Sequence, residues 1–347
     1  MKVGISVYEA RLRAPFVWST GSVEVRPLIV LSLRGSDGVI GYGEAAPLGG
    51  YDGVAVGEVL AALEDCRPLL ADSDGVDREP LLHACAGVAV LPQAVAAVDL
   101  ALWDLAGQRA GAPVWRLLDA RDPSPIAVNA TITASDRAGA AAEAAAAVQA
   151  GFGTVKLKVG IGDDSGRLAA VRAAGGQRLS IRIDANGVWT VGEAAANLRA
   201  LEPIRLELCE EPVAGLDEVG ELAGATPVAL AIDETAAAPG ALDRRVCDSV
   251  CLKVARCGGI TKLVDAAQRA RRAGYHVYVA STLDGPLGIA AALHAAAVIA
   301  PDRPCGLATL SQFADRPDPF VPRDGRIAVP SAPGLGAGPL DWYAPTK

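Results

Sequence analysis

Residues 154–160 read TVKLKVG, 180–186 SIRIDAN, 205–212 RLELCEEP, 228–235 VALAIDET and 249–255 SVCLKVA. Each is a short apolar run that delivers a charge at its end: Lys158, Asp184, Glu210, Asp233 and Lys253. Successive charges lie 26, 26, 23 and 20 residues apart, about one strand plus one crossover helix each time. Similar runs extend the series, IAVNATI at 126–132, HVYVAST at 276–282 and, as a possible eighth, PCGLATL at 304–310. More than six such units fit a closed parallel barrel better than an open sheet. A doubly wound sheet would call for GxGxxG after an early strand, and none is present.

In a parallel barrel the C-terminal strand ends share one rim, where the chemistry is done. Three carboxylates there make a hard, oxygen-rich site suited to Mg²⁺. A lone Asp after a strand is often just a helix N-cap, but three in consecutive units are hard to ascribe to capping. A buried, unpaired carboxylate is also expensive. Glu211 and Glu234 are adjacent alternatives for two of the ligands, and strand alternation lets only one of each pair point inward. Lys156 and Lys158 share a side of their strand by the same rule. A lone inward lysine is usually an ion-pair partner. Beside a divalent ion its charged form is disfavoured, which makes it a usable base. Removing a proton next to a carboxylate needs such a base together with positive charge where the negative charge develops.

The rest of the chain bounds this site. At 347 residues one large domain plus a smaller one is expected, and 51% hydrophobic content supplies ample core. A net charge of −8 without a basic block argues against nucleic acid and anionic membrane as partners. A small anionic carboxylate is the expected substrate, attracted by local positive charge. The seven cysteines (66, 85, 209, 247, 251, 257 and 305) contain no CxxC pair; Cys247, Cys251 and Cys257 read as small buried hydrophobes rather than a zinc site. No signal-peptide core precedes the first strand, and the apolar stretch 288–300, broken by His294, is too short to span a bilayer. A cytoplasmic protein and a homo-oligomer are expected.

Residues 1 to about 60 carry β signals, with a hairpin turn at Gly35-Ser36-Asp37-Gly38. From about 55 to 118 the pattern is helical; Val95, Val98, Leu102 and Leu105 form a stripe that leaves Asp99 and Asp104 outside it. A helix at 138–150 should end at Gly151. His83, His276 and His294 read as structural.

The series KLK, DAN, EEP, DE and LK resembles the enolase superfamily, in its muconate lactonizing enzyme subgroup. GYGEAAPLGGY (41–51) and AVDLALWDLAGQRAGAPVWRLL (97–118) are similar to that family's capping domain, so the likeness spans nearly the whole chain. The resemblance implies an α/β fold, a modified TIM barrel (β/α)7β with an α+β capping domain. The corresponding boundaries are 1–120 for the cap, 121–314 for the barrel and 315–347 for a segment returning to the cap. It places Mg²⁺ (or Mn²⁺ in its stead) on Asp184, Glu210 and Asp233, and the acid/base pair on Lys158 and Lys253. Lys156, Asn186, Ser281, Thr282, Asp284 and Tyr51 are the candidate substrate contacts. Asn186 would hold a lysine or substrate, or cap a turn; Asp284 would pair with Lys253 or form a turn before Gly285. Phe16, Trp18 and Tyr51, from loops at 16–21 and 48–53, would line the mouth or pack within the cap.

STLDGPLGIAA, PCGLATL and VNATI are similar to segments of o-succinylbenzoate synthases. The resemblance thus favours dehydration of 2-succinyl-6-hydroxy-2,4-cyclohexadiene-1-carboxylate to o-succinylbenzoate, a lyase step of menaquinone biosynthesis. Lys158 would be the base, and Lys253 a cation over the ring. The alternative is an isomerase of the same subgroup: N-succinylamino acid racemase, dipeptide epimerase or muconate cycloisomerase. Dipeptide epimerases carry Asp-x-Asp where this chain has Thr282-Leu283-Asp284, although DGPLG itself is similar to theirs. Muconate cycloisomerases usually have Glu at the place of Asp284, and the cap is fuller than in compact o-succinylbenzoate synthases.

Overall fold

The computed structural model describes residues 1–336 and 339–343. Strands β1 (Lys2–Trp18), β2 (Gly21–Arg34) and β3 (Ile40–Ala45) form an antiparallel sheet in that order. Alternation on β2 gives it two buried faces. Ile29, Leu31 and Leu33 join one hydrophobic cluster, and Leu28 and Val30 join the other. Helices α1 (Gly49–Asp52), α2 (Val56–Ala71), α3 (Arg78–Val88), α4 (Pro92–Ala110) and α5 (Val114–Leu117) follow. β3 and α4 pack backbone to backbone because Gly43 lacks a side chain: a Cβ there would stand 2.0 Å from the Ala97 carbonyl oxygen.

After β4 (Ile126–Ala127), strand and helix alternate: β5 (Ala130–Ile132), α6 (Arg137–Gln149), β6 (Thr154–Lys158), α7 (Asp164–Gly175), β7 (Ser180–Asp184), α8 (Val191–Ala200), β8 (Leu208–Glu210), α9 (Leu216–Ala223) and β9 (Leu230–Ile232). The series continues with β10 (Ser249–Lys253), α10 (Val254–Cys257), α11 (Ile260–Ala273), β11 (His276–Ala280) and α12 (Pro286–Ile299), and β12 (Arg326–Ile327) pairs back with β4. Strands β5 to β11 form one parallel sheet in sequence order. Residues 305–306 close it: Cys305 bridges Val128, and Gly306 bridges Ala280. The eighth strand expected at 304–310 is therefore only this two-residue seam among the described residues.

Two further expectations change. The interval from Asp233 to Lys253 holds no crossover α-helix, only a 3-10 turn at Glu234–Ala237. Pro239 cannot donate to a helical ladder and Gly240 turns the chain at φ 79°, so this short segment runs irregularly. Asp99 and Asp104, expected outside the apolar stripe of α4, are both buried. The reason is that α4 is clasped between the cap sheet and the barrel. Asp99 accepts from the Thr261 amide (3.0 Å) and hydroxyl (2.6 Å) at the start of α11, and Asp104 accepts from the amides of Tyr42 (2.8 Å) and Leu335 (2.7 Å).

The helix expected at 138–150 is α6, capped by Asp136, whose carboxylate accepts from the Gly139 amide. His294 is buried in α12, where its Nδ1 accepts from the Trp115 amide at 3.2 Å. Near the chain end Tyr343 donates to Glu44 and packs on Tyr8. Residues 337–338 and 344–347 of the segment expected to return to the cap lie outside the described residues. No helix among the described residues is long and apolar enough to cross a membrane.

Candidate active site

The parallel register sets the site. Lys158 pairs with Asp184, and Asp184 with Glu210, so three charges stand level at the ends of β6, β7 and β8. Asp233 and Lys253 follow at the ends of β9 and β10. The carboxylates of Asp184, Glu210 and Asp233 are buried, 0–3% exposed. Lys158 Nζ donates to Asp184 Oδ2 at 2.6 Å and to Asn186 Oδ1 at 2.7 Å. Lys156 Nζ lies between Glu210 Oε1 (2.5 Å) and Asp184 Oδ2 (2.9 Å). Lys253 is paired with Asp233 and donates to the Tyr51 hydroxyl at 2.6 Å; that hydroxyl donates to Asp233 Oδ2 at 2.8 Å.

Electrostatics follow from crowding. Burial drives the Glu210 carboxyl up to about 7; Lys156 pulls it down, while Asp184 and Asp233 push it further up. Burial also opposes charge on Lys253, but Asp233 and its neighbours outweigh that and hold the amine well above its ordinary value. The lowered lysine pKa expected beside a divalent ion is thus not shown by Lys253 among these carboxylates alone. The lysines act here as the counter-charge. Against burial, Lys156 and Lys158 hold Asp184, and Lys253 and Arg256 hold Asp233, below the ordinary carboxylate value. Three converging, buried oxygen donors fit a hard divalent cation.

Adjacent acids take different roles. Glu211 turns away from the rim and accepts from the amides of Asp233 (2.5 Å) and Thr235 (3.0 Å), fixing the backbone that presents Asp233. Glu234 accepts from Asn186 Nδ2 at 2.7 Å through one oxygen, and its other oxygen has no partner among the described residues.

Between cap and barrel lies a cleft of about 680 Å³, open mouth included. The cap contributes Phe16, Trp18, Leu48 and Tyr51; the barrel contributes Lys156, Lys158, Lys253, Ser281 and Thr282. Phe16 and Trp18 come from the end of β1 rather than a loop, since only Ser19 and Thr20 separate β1 from β2. Ser19 Oγ donates to the Ala185 carbonyl at 3.2 Å and so pins this hairpin to the rim.

Of the candidate substrate contacts, Asn186 and Asp284 do not line the cleft. Asn186 holds Lys158 instead. Asp284 is buried, accepts from Thr282 Oγ1 at 2.7 Å and, among the described residues, leaves Oδ2 unpartnered near Arg26 and Glu44 of the cap. Sequence reasoning missed Asn129, Thr131 and Thr309 on the cleft wall. The first two are spaced by two where the run 126–132 enters β5, so their polar alternation was a usable signal. Also missed were Tyr278, which donates to Glu210 Oε2 at 2.6 Å, and Arg256, 3.5 Å from the Tyr51 hydroxyl and 3.8 Å from Asp233. Arg256 lies beyond Lys253 on the short α10, where nothing in the strand pattern marks it.

Known proteins with the same layout bear on this site. Residues 2–119 match the mandelate racemase/muconate lactonizing enzyme N-terminal domain, and residues 139–341 match the enolase C-terminal domain-like family. The N-succinyl-L-Arg/Lys racemase of Bacillus cereus is 29% identical over 310 residues, covering 85% of this chain and 84% of that protein. Muconate cycloisomerase 1 of Rhodococcus opacus is 29% identical over 355 residues, covering 97% and 95%. The dipeptide epimerase of Cytophaga hutchinsonii, in a crystal structure with Mg and the dipeptide D-Ala-L-Val, superposes with a TM-score of 0.88 at 28% identity, over 96% of this chain and 95% of that one. The relatives are thus racemases, epimerases and cycloisomerases. Both family matches and the closed barrel under its cap make this chain an enolase-superfamily enzyme of the mandelate racemase/muconate lactonizing enzyme family.

Proposed function

We propose that the protein is a Mg²⁺-dependent isomerase that moves the α-proton of a small N-acylated amino acid, with Lys158 and Lys253 as the paired acid and base. The observation that carries this is the placement of the two amines. Both line one cleft, and three strands, β7 to β9, separate their own strands in the sheet. Each is held by a different carboxylate, Asp184 or Asp233. Amines on opposed walls suit a proton taken from one face of a carbon and returned to the other.

Asp184, Glu210 and Asp233 would hold the cation. When bound, Mg²⁺ (or Mn²⁺) supplies positive charge beside the substrate carboxylate as its α-proton leaves. Asn186 and Glu234 orient Lys158; Tyr51 orients Lys253. Phe16, Trp18 and Leu48 exclude water from the mouth.

The cleft wall carries three lysines and no carboxylate among its lining residues. A free ammonium, as in a dipeptide, would find no counter-charge there, because Asp284 faces the cap interior. An acylated nitrogen, as in the substrates named for the Bacillus cereus relative, needs none. A second reading is the dehydration to o-succinylbenzoate. Asn129 and Thr131, from the VNATI stretch similar to those synthases, stand in the cleft wall and favour it.

Incubation with Mg²⁺ in D₂O tests the choice. N-succinyl amino acids of both configurations should gain deuterium at the α-carbon. Lys158→Ala and Lys253→Ala should each lose racemisation by about 10²–10⁴-fold, each retaining exchange with at most one enantiomer. Absence of exchange in every N-succinyl amino acid, with turnover of the cyclohexadiene, would reject the isomerase in favour of the lyase.

A further inference from the structure

The barrel interior holds a thiol that proton transfer between the lysines leaves unused. Cys251 precedes Lys253 by two residues on β10, so strand alternation turns both inward. Cys209 contrasts with it, since it adjoins Glu210 on β8 and therefore takes the opposite face. The Cys251 side chain is 1% exposed, and no hydrogen bond engages its thiol among the described residues. Its sulfur, a Glu210 oxygen and an Asp233 oxygen all lie within 4.8 Å of one another. Asp184 is not of this group.

Donors around a tetrahedral zinc ion stand roughly 3.5 Å apart, given Zn–S near 2.3 Å and Zn–O near 2.1 Å. The three groups are therefore about 1 Å of side-chain adjustment from enclosing such an ion. Sulfur discriminates among metals: Mg²⁺ and Mn²⁺ favour oxygen, whereas thiolate favours softer ions. We propose that Cys251, Glu210 and Asp233 form a mixed sulfur–oxygen site for a thiophilic divalent cation, Zn²⁺ or Cd²⁺. It overlaps the magnesium site and competes with it. Binding releases the thiol proton to solvent and forms only metal–donor bonds. The inference rests on Glu210 and Asp233 being cation ligands, as proposed above.

The experiment titrates Cd²⁺ alone into metal-free protein and follows thiolate-to-cadmium charge-transfer absorption, with bound Mn²⁺ read separately by electron paramagnetic resonance. One equivalent of Cd²⁺ should produce the band and displace Mn²⁺. Cys257→Ser should keep the band and Cys251→Ser abolish it. Cys251→Ser should also weaken Cd²⁺ by at least about tenfold while changing Mn²⁺ affinity by less than about threefold. Displacement of Mn²⁺ without the band, or a band that survives in Cys251→Ser, overturns the proposal and leaves the magnesium site standing. Failure of the wild type to bind Mn²⁺ tells against that site itself, and the claimed overlap falls with it. Should Cys251→Ser fold poorly, Cys251→Ala serves, and an absent band in the wild type rejects the proposal without any variant.

Discussion

Arg26 has no exposed surface, yet it carries a full charge at the junction of cap and barrel. Its guanidinium donates to the carbonyls of Pro47 (2.6 Å) and Ala46 (3.0 Å) in the cap, and of Leu283 (3.3 Å) in the barrel. Leu48 and Leu283, both on the cleft wall, are thereby held by one side chain. Burial lowers the hold of Arg26 on its proton, and Asp284 and Glu44 offset only part of that. Glu44 in turn is driven up to about 8, first by burial and then by Asp284. Arg26→Gln would strand these acids. It should destabilise the protein by about 3–5 kcal/mol, the usual cost of breaking a buried charge cluster, as measured by urea unfolding; Arg26→Lys should recover part of the loss. A change below about 1 kcal/mol would show that the cluster is not held by charge. At this scale the sequence was uneven. Lys156, Lys158, Asp184, Glu210, Asp233 and Lys253 were legible because a charge at a strand end is conspicuous against apolar neighbours. Arg26 was not, because within RPLIVLSL it looks like any surface arginine on an edge strand.

Elements were easier to read from the sequence than the contacts between them. Period-two runs located the barrel strands, and the Ala-rich stretch ending at Gly151 located α6. What periodicity does not carry is which face meets which neighbour. It marked Asp99 as lying off the apolar stripe, whereas this residue ties α4 to the first turn of α11. Thr261 is the knot. It donates to Asp99 and accepts from Arg78 (2.8 Å) and Trp103 (3.0 Å), so three helices meet at one hydroxyl. Burial keeps Asp99 high, at about 6, against the pull of its Thr261 bonds. Asp99→Ala should cost about 1–3 kcal/mol, since it leaves the Thr261 amide and hydroxyl without their acceptor. Equilibrium unfolding at pH 7 checks this, and Asp99→Asn, which keeps an acceptor, should be milder. The missing helix after β9 was likewise invisible in spacing alone, because 20 residues can hold a helix or an irregular turn.

The whole molecule is knitted across cap, barrel and the segment before the chain end by His294. Its ring accepts from Trp115 at 3.2 Å and lies 3.2 Å from the Leu335 carbonyl. Burial lowers it from 6.5 to about 4, so the native state keeps it neutral where the unfolded chain would protonate it. The folded pKa lies below the unfolded one. The stability from neutral His294 is therefore complete above about pH 6.5 and is lost as pH falls from there toward 4. The slope is roughly 1.4 kcal/mol per unit, about 3 kcal/mol over the window. Urea midpoints at pH 7, 6 and 5 should fall more steeply for the wild type than for His294→Asn. Parallel profiles would remove His294 from the acid response.

The seam at residues 305–306 has a further bearing, on biosynthesis. The ring cannot shut until residue 306 has left the ribosome. Until then β11 and β5, the strand entered from Val128, are open edges, each able to recruit a foreign strand. A nascent chain short of this seam therefore carries the lysines and carboxylates of the candidate site behind a wall still open to solvent.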